Sequence, residues 1–211
     1  MPHSTFVIER IKITSKTQSL KLRPTSKDEL KAIIEKEIKE QGPDADLNFI
    51  DVSEITSMSL LFEGLPIRNI QIDRWDTSNV TNMFGMFTKC SDFTGRSVAS
   101  DDMLQGWNTS RVKDMSLMFN ECKNFNCDLS GWNTSKVTEM TIMFHKCKVF
   151  ESDLSDWDVS NVIDMGGMFM SCDNFKSDLS SWDVSKVLHR ADVFKDCPNM
   201  QNNPQLQPKF N

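Results

Sequence analysis

Apolar residues return along most of this chain with a period of 25. Trp75, Trp107, Trp132, Trp157 and Trp182 stand 32, 25, 25 and 25 residues apart. After each of them the same types follow at the same offsets, as Val137, Met140, Met143, Phe144, Cys147 and Phe150 do after Trp132. A period of this size means stacked units, each of which hides its apolar face only against its neighbours. Setting Ile50 at the tryptophan position aligns Ile55, Met58, Leu61 and Phe62 with the columns that follow, so there are six copies, starting at Ile50, Trp75, Trp107, Trp132, Trp157 and Trp182. The second copy carries seven extra residues within 94–106, expected to bulge as a loop. The last copy decays, with Arg190, Val193 and Met200 in place of Met, Met and Phe, as expected of a unit that meets solvent.

Within a copy, Leu129-Ser-Gly-Trp132-Asn-Thr134 places Trp and Thr two apart, which predicts a short strand and, on stacking, a parallel sheet. Val137, Met140, Met143 and Phe144 then follow at offsets 3, 6 and 7, which predicts a short helical run behind Ser135 as N-cap. Ahead of the repeats, residues 6–13 and 19–22 read as a β-hairpin. Ser26-Lys27-Asp28-Glu29 is a capping box, and Leu30, Ile33, Ile34 and Ile38 predict an amphipathic helix over 27–41, ended by Gly42-Pro43 and suited to covering the first coil. The fold expected is an α/β repeat solenoid of leucine-rich-repeat-like coils with an N-terminal helical cap: residues 1–49 as the cap, 50–200 as six coils, and 201–211 as an irregular tail.

Charge narrows the partners. The net charge is −6, and residues 1–47 hold 9 Lys/Arg against 8 Asp/Glu, which leaves 15 against 22 for the rest. An acidic repeat region repels phosphate backbones, so nucleic acid is not expected as a ligand. No stretch approaches the roughly 18 apolar residues of a membrane span. The N-terminus lacks a signal-peptide pattern, so a cytoplasmic protein is expected. Five of the six cysteines share one repeat offset, which points to reduced, structural thiols and not to paired bridges.

The pattern L-S-x-W-D/N-V/T-S-x-V-x-x-M-x-x-M-F-x-x-C-x-x-F resembles the BspA-like leucine-rich repeat family of bacterial proteins, over residues 50 to about 200. The resemblance implies protein–protein interaction, often adhesion, for a family many of whose members are surface lipoproteins. The absence of a signal or lipid-anchor pattern here is a departure from that family.

Candidate chemistry is sparse. The methionine columns read as core filling rather than a soft-metal site, and one thiol per copy supplies no converging zinc set. Cys127 stands where later copies have Ser152 and Ser177, which predicts a surface position and the most reactive thiol. Asp76, Asn108, Asn133, Asp158 and Asp183 form a ladder beside Asp128, Asp153 and Asp178. These rows read as caps on turn backbone, with calcium binding or an acidic strip for a basic partner as alternatives. His3, His145 and His189 occupy unrelated registers, and no nucleophile has a matching base, so no enzyme is expected.

Positions that vary between copies are the informative ones, because fixed offsets report the scaffold. Phe84 is the lone large aromatic in its register, Met170 the lone methionine and Val149 the lone aliphatic in theirs. With Asp158 and Asp183 these are the candidate partner-binding residues. The expectation is a monomeric, non-enzymatic, cofactor-free module that binds one protein partner as an effector or inhibitor. A cell-surface adhesin and a metal-binding or purely structural solenoid are the alternatives.

Overall fold

The computed structural model describes residues 22–97 and 102–210. The hairpin expected at 6–13 and 19–22 lies outside the described residues, apart from Leu22, which makes a single parallel bridge with Ile50. Helix α1 spans Lys27–Gln41. The Ser26 hydroxyl accepts from the Glu29 amide while the Glu29 carboxylate accepts from the Thr25 amide, so both ends of the cap are closed. Leu30, Ile34 and Ile38 are buried in the common core, and Gly42, at φ 86°, ends the helix with its N–H on the Ile38 carbonyl.

The coils stack as the period requires. Single parallel bridges join Ser57, Asn82, Asp114, Glu139, Asp164 and His189 in succession, at steps of 25, 32, 25, 25 and 25 residues. Phe62, Phe87, Phe119, Phe144, Phe169 and Phe194 form a continuous column with centroids 5.1–5.7 Å apart. Phe93, Phe125, Phe150 and Phe175 form a second, at 5.7–5.8 Å. These offset stacks add to the burial of large apolar area. Each tryptophan Nε1–H donates to a carbonyl in the coil before, as Trp132 does to Leu104 at 2.9 Å.

The coils are nevertheless not built from strands and helices, and the α/β solenoid expectation is wrong. About 12% of the described residues are helical and 5% are bridged, with no sheet. The tryptophan segment is a tight turn, with Trp132 N–H on the Leu129 carbonyl at 3.0 Å, and not a strand. The 137–147 segment is not helical because left-handed residues interrupt it twice. Counting from the tryptophan position, offset 10 has φ of 56–62° in all six coils (Leu60, Gly85, Leu117, Ile142, Gly167, Asp192). Offset 14 has φ of 52–65° in all six (Gly64, Lys89, Glu121, Lys146, Ser171, Asp196). A single left-handed residue ends a right-handed helix.

These reversals turn alternate amides toward the next coil. Met140, Ile142, Phe144 and Lys146 donate to the carbonyls of Asp164, Gly166, Met168 and Met170 at 2.8–2.9 Å. The amides between them close turns within the coil, Met143 onto Met140, His145 onto Ile142 and Cys147 onto Phe144. The donors at offsets 8, 10, 12 and 14 repeat this in each of the first five coils, so the backbone is satisfied without a sheet.

The insertion folds back through Met103 N–H on the Gly95 carbonyl at 3.1 Å and buries Met103 and Leu104. The C-terminal segment is ordered as a short helix α2, Pro198–Gln201, and a 3₁₀ turn, Pro204–Leu206, tied back by Leu179 N–H on the Leu206 carbonyl. A Cβ on Gly95 (φ 80°) would lie 2.6 Å from the Cys127 Cβ and 2.7 Å from the Phe125 ring, whereas one on Gly131 would meet nothing within 4 Å. Gly95→Ala is expected to destabilise the protein by ~1–3 kcal/mol, and Gly131→Ala to stabilise it by ~0.4–1 kcal/mol, as read from urea unfolding.

Candidate functional site

Most repeated polar residues are consumed by the turns. The carboxylates of Asp158 and Asp183 accept from the amides of Ser160 and Ser185, each at 3.0 Å. Asp51, Asp76, Asn108 and Asn133 do the same with the serine two residues on. Asp128, Asp153 and Asp178 staple a second turn through Ser130, Ser155 and Ser180. The serine hydroxyl first, and its amide second, hold the Asp158 and Asp183 carboxyls below the usual range. Asp158 and Asp183 are exposed neighbours in successive coils, but Asn108 and Asn133 interrupt the row, so its charge falls into two separate pairs at its ends. Among the described residues no three metal-ligating side chains of His, Cys, Asp or Glu converge.

The thiols are interior groups. Cys90, Cys122, Cys147 and Cys172 donate to carbonyls of the preceding coil at 2.8–3.1 Å, Cys90 to Phe62 and Cys122 to Phe87 among them. Burial pushes the Cys90 thiol up to about 12. Cys127 is no exception, contrary to the surface position its serine counterparts suggested. It is 1% exposed, and burial pushes it up to about 12. Ser152 and Ser177 are buried too, their hydroxyls accepting from the amides of Leu129 and Leu154 at 2.9 and 3.0 Å. That register is an interior turn staple, and a polar residue type misled the surface assignment.

The three variable positions occupy three registers. Phe84, at offset 9, is half-buried, with its amide on the Asn82 side chain at 2.9 Å and its carbonyl accepting from Leu60 N–H at 2.8 Å. Met170, at offset 13, is half-buried beside Gly167, with its carbonyl accepting from Lys146 N–H at 2.9 Å. Both belong to the laddered segment, three coil steps apart, or roughly 14 Å. Val149 is 38% exposed in a different part of the coil. The structure thus puts Phe84 and Met170 in one laddered segment and leaves Val149, Asp158 and Asp183 in other registers.

Three features escaped the sequence reading. Leu188, 72% exposed, and Ile163, 38% exposed, end a register otherwise held by Thr56, Thr81, Lys113 and Thr138. Aligning offset 6 would have found them. An open groove of about 640 Å³ beside the insertion gathers Asp102, Asp128, Glu151, Asp153 and Asp156 around Arg96. Glu139 stands in the bridged register between Asp114 and Asp164, and its carboxyl is raised by burial first and then by Asp164 and Asp114. His145 is spent on a side-chain chain across three coils, its Nδ1 2.8 Å from the Asn120 Oδ1 while Asn120 donates to the Thr88 hydroxyl at 3.0 Å. No helix among the described residues is long and apolar enough to cross a membrane.

The family model described as "Mycoplasma protein of unknown function, DUF285" matches residues 34–101 and 93–207, two spans that meet in the insertion. No curated protein and no solved structure matches the chain.

With all six thiols buried, a thiol reagent such as Ellman's is expected to label fewer than one per native chain and all six in denaturant. The Ser53 hydroxyl, and then Arg23, hold the Asp51 carboxyl down to about 2. Its contribution is therefore complete above the unfolded value near 3.9 and lost as pH falls from there through about 2. Melting temperature should fall over that window, with a shallower slope in Asp51→Asn. Glu139 has the opposite sign, so Glu139→Gln is expected to raise the melting temperature at neutral pH and to lose that advantage as pH falls below the raised carboxyl value.

Proposed function

We propose that this chain, which belongs to the DUF285 family, is a non-enzymatic protein-binding module that holds variable side chains on a rigid face for one protein partner. The observation that carries this reading is the placement of Phe84 and Met170. Each is partly exposed, departs from the other coils in its register, and sits on backbone fixed by inter-coil hydrogen bonds. A side chain pre-positioned in this way loses little entropy on docking, and aromatic and methionine residues are characteristic interface anchors.

The polar residues point the same way. Repeated Asp and Ser pair with each other as turn staples, and His145 is bonded to Asn120, so these repeated groups and this histidine have structural partners. The resemblance of the repeat to bacterial interaction proteins supports the same class of function.

Capture from lysate with the full chain, quantified by mass spectrometry, tests this. The wild-type chain is expected to retain one protein stoichiometrically. Phe84→Asp and Met170→Asp should each reduce that retention by about tenfold or more while keeping the wild-type circular dichroism and melting temperature. Unfolding of both variants, or undiminished retention by both, would sink the assignment of this face.

A further inference from the structure

The inter-coil ladder has a direction. At offsets 8, 10, 12 and 14 the earlier coil always supplies the N–H and the later coil the carbonyl, and at offset 6 the carbonyl belongs to the earlier coil, as in Leu188 N–H to the Ile163 carbonyl at 2.8 Å. The two ends of the stack are therefore chemically opposite. At the first coil α1 stands over the edge, with Lys31 donating to the Leu60 carbonyl at 3.2 Å and Lys27 to the Ser59 hydroxyl at 3.3 Å. At the sixth coil no next rung stands among the described residues. The amides of Asp192, Phe194 and Asp196 find no acceptor among the described residues, and the Leu188 carbonyl finds no donor. The C-terminal segment runs alongside without closing this row: residues 188–192, 195 and 196 stay exposed, and Gln201, Gln207 and Phe210 form the far wall of a shallow groove along Asp192 and Phe194.

We propose that this edge takes a segment of a partner protein as an added rung, wound in the same succession of tight turns as a coil. The segment's carbonyls at every second residue, presented as Asp164, Gly166, Met168 and Met170 present theirs, would accept from Asp192, Phe194 and Asp196, one of its amides would donate to Leu188, and an apolar side chain would cover Leu188 and Ile163. The polarity of the edge selects this occupant over a second copy. Two copies meeting edge to edge set N–H against N–H, and a head-to-tail pair must displace α1 from the first coil. Asp192 and Asp196 balance Arg190 and Lys195, so recognition comes from hydrogen-bond direction and the exposed leucine, not from charge. The edge is the open end of the same laddered segment, one coil beyond Met170 and four beyond Phe84, and the proposal does not rest on a binding role for either.

The test is amide hydrogen exchange on the full chain, alone and with a synthetic peptide of residues 160–176, which carries carbonyls in the register of a coil. The amides of Asp192, Phe194 and Asp196 should exchange fast in the free protein. Millimolar peptide should slow them roughly tenfold. Leu188→Asp should abolish that protection with its melting temperature unchanged, and Phe84→Asp should leave it intact. Three results would overturn the proposal: no protection at millimolar peptide, protection already present in the free protein at any concentration, or protection that grows with protein concentration and marks a second copy as the occupant.

Discussion

Everything in this structure depends on one constraint: a buried backbone amide must find an acceptor, and here it finds it in the next coil. A chain folded almost wholly into turns would ordinarily leave many polar groups stranded in its core. Left-handed residues at offsets 10 and 14 resolve this by aiming every second N–H along the stack while its neighbours close turns within the coil. The side chains extend the same scheme. Tryptophan N–H groups and the thiols of the cysteine column reach the preceding coil, as do the hydroxyls of Thr81 and Thr138, while Thr77, Thr109 and Thr134 reach the following one, Thr134 to Asp158 at 2.9 Å. No buried side-chain nitrogen or oxygen among the described residues lacks a hydrogen-bond partner. Rigidity here is cumulative, because each inner coil is fixed on both sides by groups that have no other outlet.

The core types follow from the same geometry. A coil made of turns encloses a narrow interior, and methionine, phenylalanine and cysteine fill it in columns, each stacked on its own kind. Methionine adapts its shape, and phenylalanine stacks at the spacing the coils set. A thiol is small enough to sit against a carbonyl and polar enough to donate to it weakly. The aspartates and asparagines of the outer turns repeat because each turn needs an acceptor for the amide two residues on.

The period, the six copies and the apolar columns were legible in the sequence, since recurrence at fixed offsets reports burial whatever the backbone does. The elements themselves were not. Val137, Met140, Met143 and Phe144 carry helical spacing, but Ile142 and Lys146 hold left-handed φ without the glycine that would have announced it. Tertiary hydrogen bonds override the local preference at those two residues, and the signal in the sequence lies in other copies, where Gly85 and Gly167 hold offset 10 and Gly64 holds offset 14. The candidate site was partly legible for the same reason. Comparing copies marked Phe84 and Met170 as departures from their registers, while Leu188 and Ile163 sit in a register that was not compared. Cys127 was misjudged because serine is usually a surface residue, and in this coil it is an interior staple.

The seven residues inserted between the second and third coils show what such a ladder tolerates. Asn82 and Asp114 are bridged as their counterparts are, although 32 residues separate them instead of 25. The stack therefore keeps register by counting rungs, and the connecting corner between Phe93 and Trp107 is free to vary in length. A gene built from such units can lengthen a corner, or gain and lose whole turns of chain, without disturbing the columns on either side. The corner is where new surface can be added at least structural expense, and in this protein it is also where the acidic groove has formed.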